Sequence, residues 1–382
     1  MQPKPLILID TEYIGGPGKG LFQFLRCAAP AGLEYVLSSI TYPRAQSTEF
    51  QEAAGVRRLN YHPIHQRFKF DPALVAQTVR LIRSAGCNLI QSHNYKSHAI
   101  AALAARWTGL PWIAFAHGWT AEDRKVALYN ACDRWLLRYA DLVVTVSPQM
   151  QAGLAAKRNG KKTELLWNAV EPAELTGIGA SRDIRASCGL LEDGLLLGCF
   201  GRLSFEKGQD LLIEAFSKIA YSFPLVKLLL LGDGPDRIKL MQQAARKQLS
   251  KRIFFHGYKS NLRDYYEAID LLIIPSRSEG LPNVALEACA LGCPILSTDV
   301  GALREVLREG KGGWLVPVEN AAQRLAESLE RLLAEPALLP AAGQLAKVST
   351  LSKFSAQLRA EKLLAFYQET LACFAARTRT RV

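Results

Sequence analysis

Two fixed cations stand five residues apart in Gly201-Arg202-Leu203-Ser204-Phe205-Glu206-Lys207-Gly208, directly after the apolar run Leu195–Phe200. Arginine forks onto two phosphate oxygens and lysine adds a point charge, so the pair suits a diphosphate that must be neutralised as it leaves. Further on, Ser278-Glu279-Gly280-Leu281-Pro282-Asn283 runs into Val284-Ala285-Leu286-Glu287. Pro282 predicts the first position of a helix whose open N–H groups face the loop. Glu279 then lies just outside the helix and Glu287 about two turns further along. Carboxylates so placed can grip hydroxyls, one set on a sugar and one on a ribose. Glu287 sits among Val284, Leu286, Ala288 and Cys289, and a carboxylate in an apolar stretch needs a partner.

The first half carries two weaker signals. Gly15-Gly16-Pro17-Gly18-Lys19-Gly20 fits neither a Walker A loop nor GxGxxG. It reads either as a glycine-rich turn that lets backbone N–H groups approach an anion at a helix N-terminus, or as a plain tight turn. His117-Gly118 follows Trp112–Phe115, and a histidine at a strand end can donate to a ligand oxygen.

These residues need elements to hold them, and the chain alternates strand and helix nearly throughout. Apolar runs of strand length are Leu6–Ile9, Tyr35–Ile40, Leu89–Gln91, Trp112–Phe115, Leu142–Val146 and Glu164–Trp167. A second series is Leu195–Phe200, Val226–Leu231, Ile253–His256, Leu271–Pro275, Ile295–Thr298 and Gly313–Val316. Between them lie amphipathic stretches such as Asp71–Ala85, with Asp71 as expected N-cap and Pro72 behind it. Apolar strands separated by helices predict parallel sheets covered on both faces, here two doubly wound domains. The boundary falls at about Asn168–Ser181, which holds Pro172 and two glycines without periodicity; a long helix is expected over about Ser349–Phe374. In such sheets ligands bind beyond the carboxyl ends of the strands, where the residues above lie.

The 382 residues and 49% hydrophobic content fit a two-domain globular enzyme and exclude a disordered, collagenous or disulfide-framed chain. No run of about 18 apolar residues occurs, and Met1–Asp10 reads as a first strand, not a signal peptide. A cytoplasmic location is therefore expected. The eight cysteines show no CxxC pair and read as reduced core residues; no metal site is visible. Of the net charge of +12, residues 1–168 hold +9, from 20 Lys+Arg against 11 Asp+Glu. Such a field attracts phosphorylated substrates or anionic lipid. Nucleic acid is not an expected partner, because no helix-turn-helix, zinc finger or RNP-type signature appears.

Taken in order, Gly201-Arg202…Glu206-Lys207-Gly208, Leu231-Gly232-Asp233-Gly234-Pro235, Phe255-His256-Gly257-Tyr258 and the E-x7-E of Glu279 and Glu287 resemble the retaining glycosyltransferases of family 4. The resemblance is strongest over about 195–317; Gly15-Gly16, His117-Gly118 and Asn168-Ala169-Val170-Glu171 extend it into the first half. It implies the GT-B fold, an α/β architecture of two doubly wound Rossmann-like domains facing a central cleft. Residues 1–170 would bind the acceptor and 171–365 the nucleotide-sugar, with 366–382 a helix and basic tail crossing back to the first domain.

The resemblance also implies roles. Arg202 and Lys207 would stabilise the departing diphosphate. Glu279 would bind donor-sugar hydroxyls (not act as a nucleophile), Glu287 the ribose, and His117 would sit near the reacting sugar. Gly16, Gly201, Gly232, Gly280, Leu281, Pro282 and Asn283 would line the donor, with His256 and Tyr258 edging the base. Gly15, Lys19 and His93 fall on the acceptor side. The usual Asn-Gly-Val-Asp at the crossing is Asn168-Ala-Val-Glu here, and Pro17 and Lys19 depart from the usual first loop.

The expected reaction is retaining, metal-independent transfer from a nucleotide-sugar, leaning towards a UDP-sugar, with no cofactor. The expected acceptor is a lipid-linked or envelope polysaccharide such as lipopolysaccharide, met by a protein peripheral on the inner face of the cytoplasmic membrane. A soluble small-molecule acceptor, a nucleotide-sugar epimerase of the same fold and a non-catalytic partner are the rival readings. Tyr61-His-Pro-Ile-His-Gln-Arg-Phe-Lys-Phe70 alternates cations and aromatics, as either an interfacial loop or an ordinary loop with buried aromatics would. If the basic half meets a membrane, the protein sediments with anionic liposomes at low salt and releases at high salt. Absence of sedimentation at low salt refutes that expectation.

Overall fold

In the computed structural model, residues 2–45, 47–68, 71–118, 124–158, 160–190, 194–259, 261–307 and 312–379 are described. All twelve expected strands form, and they assemble into two wholly parallel sheets in two units. One unit is Met1–Asn168 with Ala356–Val382; the other is Ala169–Ser355.

In the first unit, β1 (Pro5–Ile9), α1 (Gly16–Ala28), β2 (Val36–Thr41), α2 (Glu49–Val56) and β3 (Ile64–His65) lead to α3 (Ala73–Ala85). Then come β4 (Leu89–His93), α4 (Tyr95–Thr108), β5 (Trp112–Ala116), α5 (Arg124–Leu136), β6 (Leu142–Thr145), α6 (Pro148–Ala155) and β7 (Thr163–Leu165). The sheet order is β3-β2-β1-β4-β5-β6-β7. Every residue of β1, β4 and β5 is buried, as strands covered on both faces must be.

In the second unit, α7 (Ser181–Ser187), β8 (Leu196–Phe200), α8 (Gln209–Ile219), β9 (Lys227–Leu231), α9 (Arg237–Arg246) and β10 (Ile253–Gly257) come first. They are followed by α10 (Leu262–Ala268), β11 (Leu271–Ile274), α11 (Asn283–Leu291), β12 (Ile295–Thr298), α12 (Leu303–Leu307) and β13 (Gly313–Val316). Helices α13 (Ala321–Ala334) and α14 (Leu338–Lys353) close the unit, and α15 (Ala356–Arg379) belongs to the first one. The sheet order is β10-β9-β8-β11-β12-β13. In each sheet the order reverses once, between β1 and β4 and between β8 and β11, and ligands of open parallel sheets bind outside such points.

Several expectations are corrected. The single helix expected over Ser349–Phe374 is two, broken at Phe354–Ser355, where Val170 N–H donates to Phe354 O at 2.8 Å and Val170 bridges Ser355. The chain thus rejoins the first unit at Ala356, earlier than residue 366, because the crossing strands pair there. The Tyr61–Phe70 segment includes the short edge strand β3, and Tyr61 O–H shares a 2.7 Å hydrogen bond with Ser39; Lys69 and Phe70 lie outside the described residues. The glycine run is not a loop, since Gly15 caps α1 and Gly16 opens it. Pro17 is tolerated in that first turn, while Gly18 and Gly20 leave room for Phe50 and the Arg359 guanidinium, 3.5 and 3.4 Å from a would-be Cβ. Pro72, not Asp71, is the N-cap of α3, although Asp71 Oδ1 still accepts from Ala73 N–H at 2.9 Å while its other oxygen pairs with Arg67 at 3.2 Å. Cys132 and Cys373 are exposed, not core.

The return of α15 also redistributes charge. The first unit holds 25 Lys+Arg against 13 Asp+Glu, and the second 22 against 22. The first unit therefore carries the whole +12.

Helix α15 buries Leu363, Phe366 and Tyr367 among Phe24, Leu21 and Ile9. Its Arg359, also buried, donates to Gly20 O at 2.8 Å and Trp167 O at 3.1 Å, and desolvation lowers its pKa to about 10. Arg359→Ala strands both carbonyls and leaves a cavity, so urea unfolding should register a loss of about 2–3 kcal/mol. A loss below about 0.5 kcal/mol would mean that apolar contacts alone dock the helix.

Candidate active site

At the second switch point two strand ends bring the expected chemistry together. Beyond β8, the chain passes Gly201 and Arg202 into a short 3-10 turn, Phe205–Lys207, before α8. Gly208 joins turn to helix at φ +68°, and a Cβ there would lie 2.0 Å from Pro275 O, so the β8 loop rests directly on the β11 loop. Lys207 Nζ consequently reaches Glu279 Oε1 at 2.7 Å and Oε2 at 2.9 Å. Ser276 Oγ donates to the same Oε1 at 2.7 Å. A carboxylate accepts about four hydrogen bonds; three are used, so among the described residues Oε2 keeps one acceptor site.

Arg277, which the sequence reading missed, fastens this loop pair. Its guanidinium holds Asp210 through two bonds of 2.8 and 2.7 Å, donates to Phe205 O at 2.6 Å and lies 4.1 Å above the Phe205 ring. Its backbone N–H meets Glu206 O at 2.8 Å. The available signal was Asp210 following Gly208 and Arg277 preceding Ser278-Glu279, but only the sheet order makes them neighbours. Arg202 is exposed, and its carbonyl accepts from Gln209 Nε2 at 2.9 Å.

Beyond β11, Gly280 O accepts from Ala302 N–H at 2.8 Å, and Leu281 and Pro282 are buried. Pro282 is the N-cap, one position earlier than expected, and α11 starts at Asn283 with its first N–H groups turned to the loop. Glu287 is buried, and the partner its apolar setting demanded is Tyr266, whose O–H donates to Oε2 at 2.9 Å. Burial and Glu287 push the Tyr266 phenol well above its ordinary value. Gly232 is held by close approach, a Cβ there falling 1.9 Å from Gly201 O, so it joins the β8 and β9 loops. His256 turns towards Cys188 Sγ at 3.9 Å and the Tyr265 ring; Tyr258 is the exposed member of that segment.

In the first unit the strand ends bring together a different set. His93 ends β4, is 2% exposed, and meets His117 Nε2 at 2.9 Å. Placed on the acceptor side by the resemblance, it is too deeply buried to reach an acceptor and instead supports His117. Gly15 and Lys19 are exposed at the start of α1. The sequence reading also missed Asp10, Tyr42 and Lys96. Tyr42 O–H donates to Asp10 Oδ1 at 2.5 Å and accepts from Lys96 Nζ at 2.9 Å, while burial raises the Asp10 pKa and lowers that of Lys96. Among the described residues no His, Cys, Asp or Glu cluster could hold a metal, and no helix is long and apolar enough to cross a membrane.

Two doubly wound parallel sheets in two units are the architecture of the GT-B class. Comparison with known proteins agrees: the family model described as Glycosyl transferases group 1 matches residues 181–348, and that of Glycosyltransferase Family 4 matches residues 14–174. The chain belongs to this family of glycosyltransferases. It is 27% identical over 317 residues to the 2-deoxystreptamine glucosyltransferase of Streptomyces kanamyceticus, spanning 78% of this chain and 82% of the relative. It is 25% identical over 250 residues to the lipopolysaccharide core biosynthesis mannosyltransferase LpsB of Rhizobium meliloti, spanning 64% and 70%. Among solved structures, Anabaena Alr3699/HepE in complex with UDP superposes with a TM-score of 0.82 at 20% identity, over 96% of this chain and 100% of that one.

Burial, first of all, holds the His98 and His117 pKa values down to about 3 and that of His93 well below its ordinary 6.5. The unfolded chain takes up protons near 6.5 that these folded rings refuse until about 3. Stability from keeping them neutral is whole above 6.5 and is lost as pH falls towards 3. The melting temperature should accordingly drop between pH 7 and pH 5, and by less in His98→Gln measured against its own pH 7 value. An equal drop in both proteins would remove His98 from the account.

Proposed function

We propose that the chain transfers a sugar from a UDP-sugar to a lipid-linked or envelope-polysaccharide acceptor, with retention at the anomeric carbon and with Arg202 and Lys207 in the charge-neutralising role that a metal plays elsewhere. The observation that carries this reading is the Lys207–Glu279 pair at the β8/β11 switch point, which links a phosphate-seeking cation to a hydroxyl-seeking carboxylate. Breaking a sugar–phosphate bond builds negative charge on the diphosphate, so fixed cations there stabilise the transition state more than the ground state. The open N–H groups of α11 add positive potential beside them. Glu279 Oε2 has room for a donor-sugar hydroxyl, and Glu287, braced by Tyr266, takes the ribose. The uridine assignment is supported by Alr3699/HepE, solved with UDP and also with UDP-glucose.

The acceptor assignment rests on the first unit, which carries the whole positive charge and exposes Leu103 and Trp107 on α4, Trp135 on α5 and Tyr139 just beyond it. Apolar rings among cations suit a surface of anionic lipid, with the protein peripheral on it. A soluble acceptor is the second reading, favoured by the likeness to the 2-deoxystreptamine enzyme.

A panel of UDP- and GDP-sugars, tested for binding and slow hydrolysis without added metal, decides the donor. One preferred UDP-sugar, with both signals lost in Glu279→Ala, is the expected result; failure of every donor with folded protein overturns the reading. In Arg202→Ala or Lys207→Ala, kcat should fall about 100-fold or more while KM changes much less. A rise in KM at unchanged kcat would reduce these residues to ground-state binders.

A further inference from the structure

One buried polar line in the first unit is used by none of the chemistry above. Tyr367 of α15 donates its O–H to Gln91 Oε1. The Gln91 carboxamide nitrogen lies 2.7 Å from His93 Nε2, and His93 Nδ1 lies 2.9 Å from His117 Nε2. Tyr367, Gln91 and His93 are 0%, 1% and 2% exposed, so no water competes for these contacts. The rings of His93, Phe115 and His117 lie nearly parallel, His93 at 16° to His117 and 24° to Phe115, which fixes their planes.

With the Tyr367 O–H bound to Gln91 Oε1, the acceptor that a buried phenol needs, the line has one consistent set of protons. A carboxamide nitrogen can only donate, so His93 Nε2 must be bare. A neutral imidazole then carries its proton on Nδ1, which donates to His117 Nε2. His117 Nε2 is thereby the acceptor, and its own proton must sit on Nδ1. Protonating His117 would set two N–H donors face to face across 2.9 Å, and protonating His93 would do the same against the Gln91 carboxamide nitrogen across 2.7 Å. Burial disfavours a charge on either ring, and the neighbouring His98 and Arg359 act in the same direction.

We infer that Tyr367, Gln91 and His93 are positioning residues that set His117 as its Nδ1–H tautomer, so that His117 offers a proton donor, not a base, to an oxygen of its ligand. Nδ1 has no partner among the described residues. The ligand oxygen is a hydroxyl or phosphate oxygen with a lone pair to give. Because Tyr367 comes from the helix that rejoins the first unit last, the C-terminal end of the chain decides the chemistry of a histidine 250 residues before it. That His117 meets a sugar donor at all rests on the function proposed above; its tautomer does not.

Long-range proton–nitrogen correlation spectra of the full chain, with 15N-labelled histidine and His117 assigned through His117→Gln, test this directly. At neutral pH the wild-type His117 and His93 should both show a protonated Nδ1 and a bare Nε2. In Gln91→Glu the carboxylate can only accept, so a neutral His93 must turn to Nε2–H, and His117 must then give its own Nε2–H to His93 Nδ1. Both tautomers invert. A His93 protonated on both nitrogens would show itself in the same spectrum and leave His117 as it was. If Gln91→Glu fails to fold, Tyr367→Phe serves instead, because its freed carboxamide can turn and His117 should show both forms. A wild-type His117 carrying its proton on Nε2 overturns the inference, as does a His117 signal unchanged beside a neutral His93 that has turned to Nε2–H. The activity arm is separate. If His117 donates to the UDP-sugar, kcat/KM for donor hydrolysis should fall about tenfold in the inverted variant, the worth of one lost hydrogen bond. Weakened binding of UDP alone would place the oxygen on phosphate, and weakened binding of the UDP-sugar only would place it on the sugar. An inverted tautomer with unchanged donor kinetics would overturn the donor contact of His117 while leaving the positioning chain intact.

Discussion

A guanidinium taken out of water must be matched by acceptors, and Arg359 of α15 finds them in the carbonyls of Gly20 and Trp167. This one requirement ties the helix that follows the first strand, the end of the last strand of the first sheet, and the returning C-terminal helix. Tyr367, two turns further along α15, is set by the same docking, packs edge-on against Phe24 at 5.8 Å and reaches Gln91. The first unit is therefore built from both ends of the chain, and its functional edge inherits the geometry of its last helix.

The second unit solves its own problem differently. Its site residues come from loops that would repel or wander if each stood alone, and close backbone approach removes that freedom. Gly208 against Pro275 O, and Gly232 against Gly201 O, lock three loops to one another, while Arg277 clamps the β8 loop through Asp210. Lys207 and Glu279 meet in ready-made register as a result. A partly buried ion pair of this kind gives little net stability, because desolvation offsets most of the attraction. Its effect is to hold two side chains of different loops in one fixed register.

Charge and chemistry are divided between the units. The second unit balances its 22 cations with as many anions, whereas the first carries a surplus of twelve positive charges. Counting charge along the chain understated that division, since the basic C-terminal helix belongs to the first unit. The same return made residue 366 a poor boundary: helical periodicity runs through Phe354 and Ser355, and the pairing of Ser355 with Val170 cannot be read from either segment alone.

Local chemistry was legible in the sequence. The twelve strands were visible because parallel strands buried on both faces are continuously apolar, and Arg202, Lys207, Glu279 and Glu287 stood out because charged groups beside such runs are costly without a purpose. The two-residue strand β3 lacked enough length to signal itself, and the glycine run before Phe22 read as a loop because glycine and proline are poor helix formers taken alone. Tertiary structure alone decided the partners. It set Arg277 on Asp210, Tyr266 on Glu287, and Tyr367 on the line through Gln91 and His93 to His117. Composition and periodicity report what each residue prefers around it, but a hydrogen bond needs a particular atom at a particular distance, and only the crossing of strands and the docking of the last helix supply that.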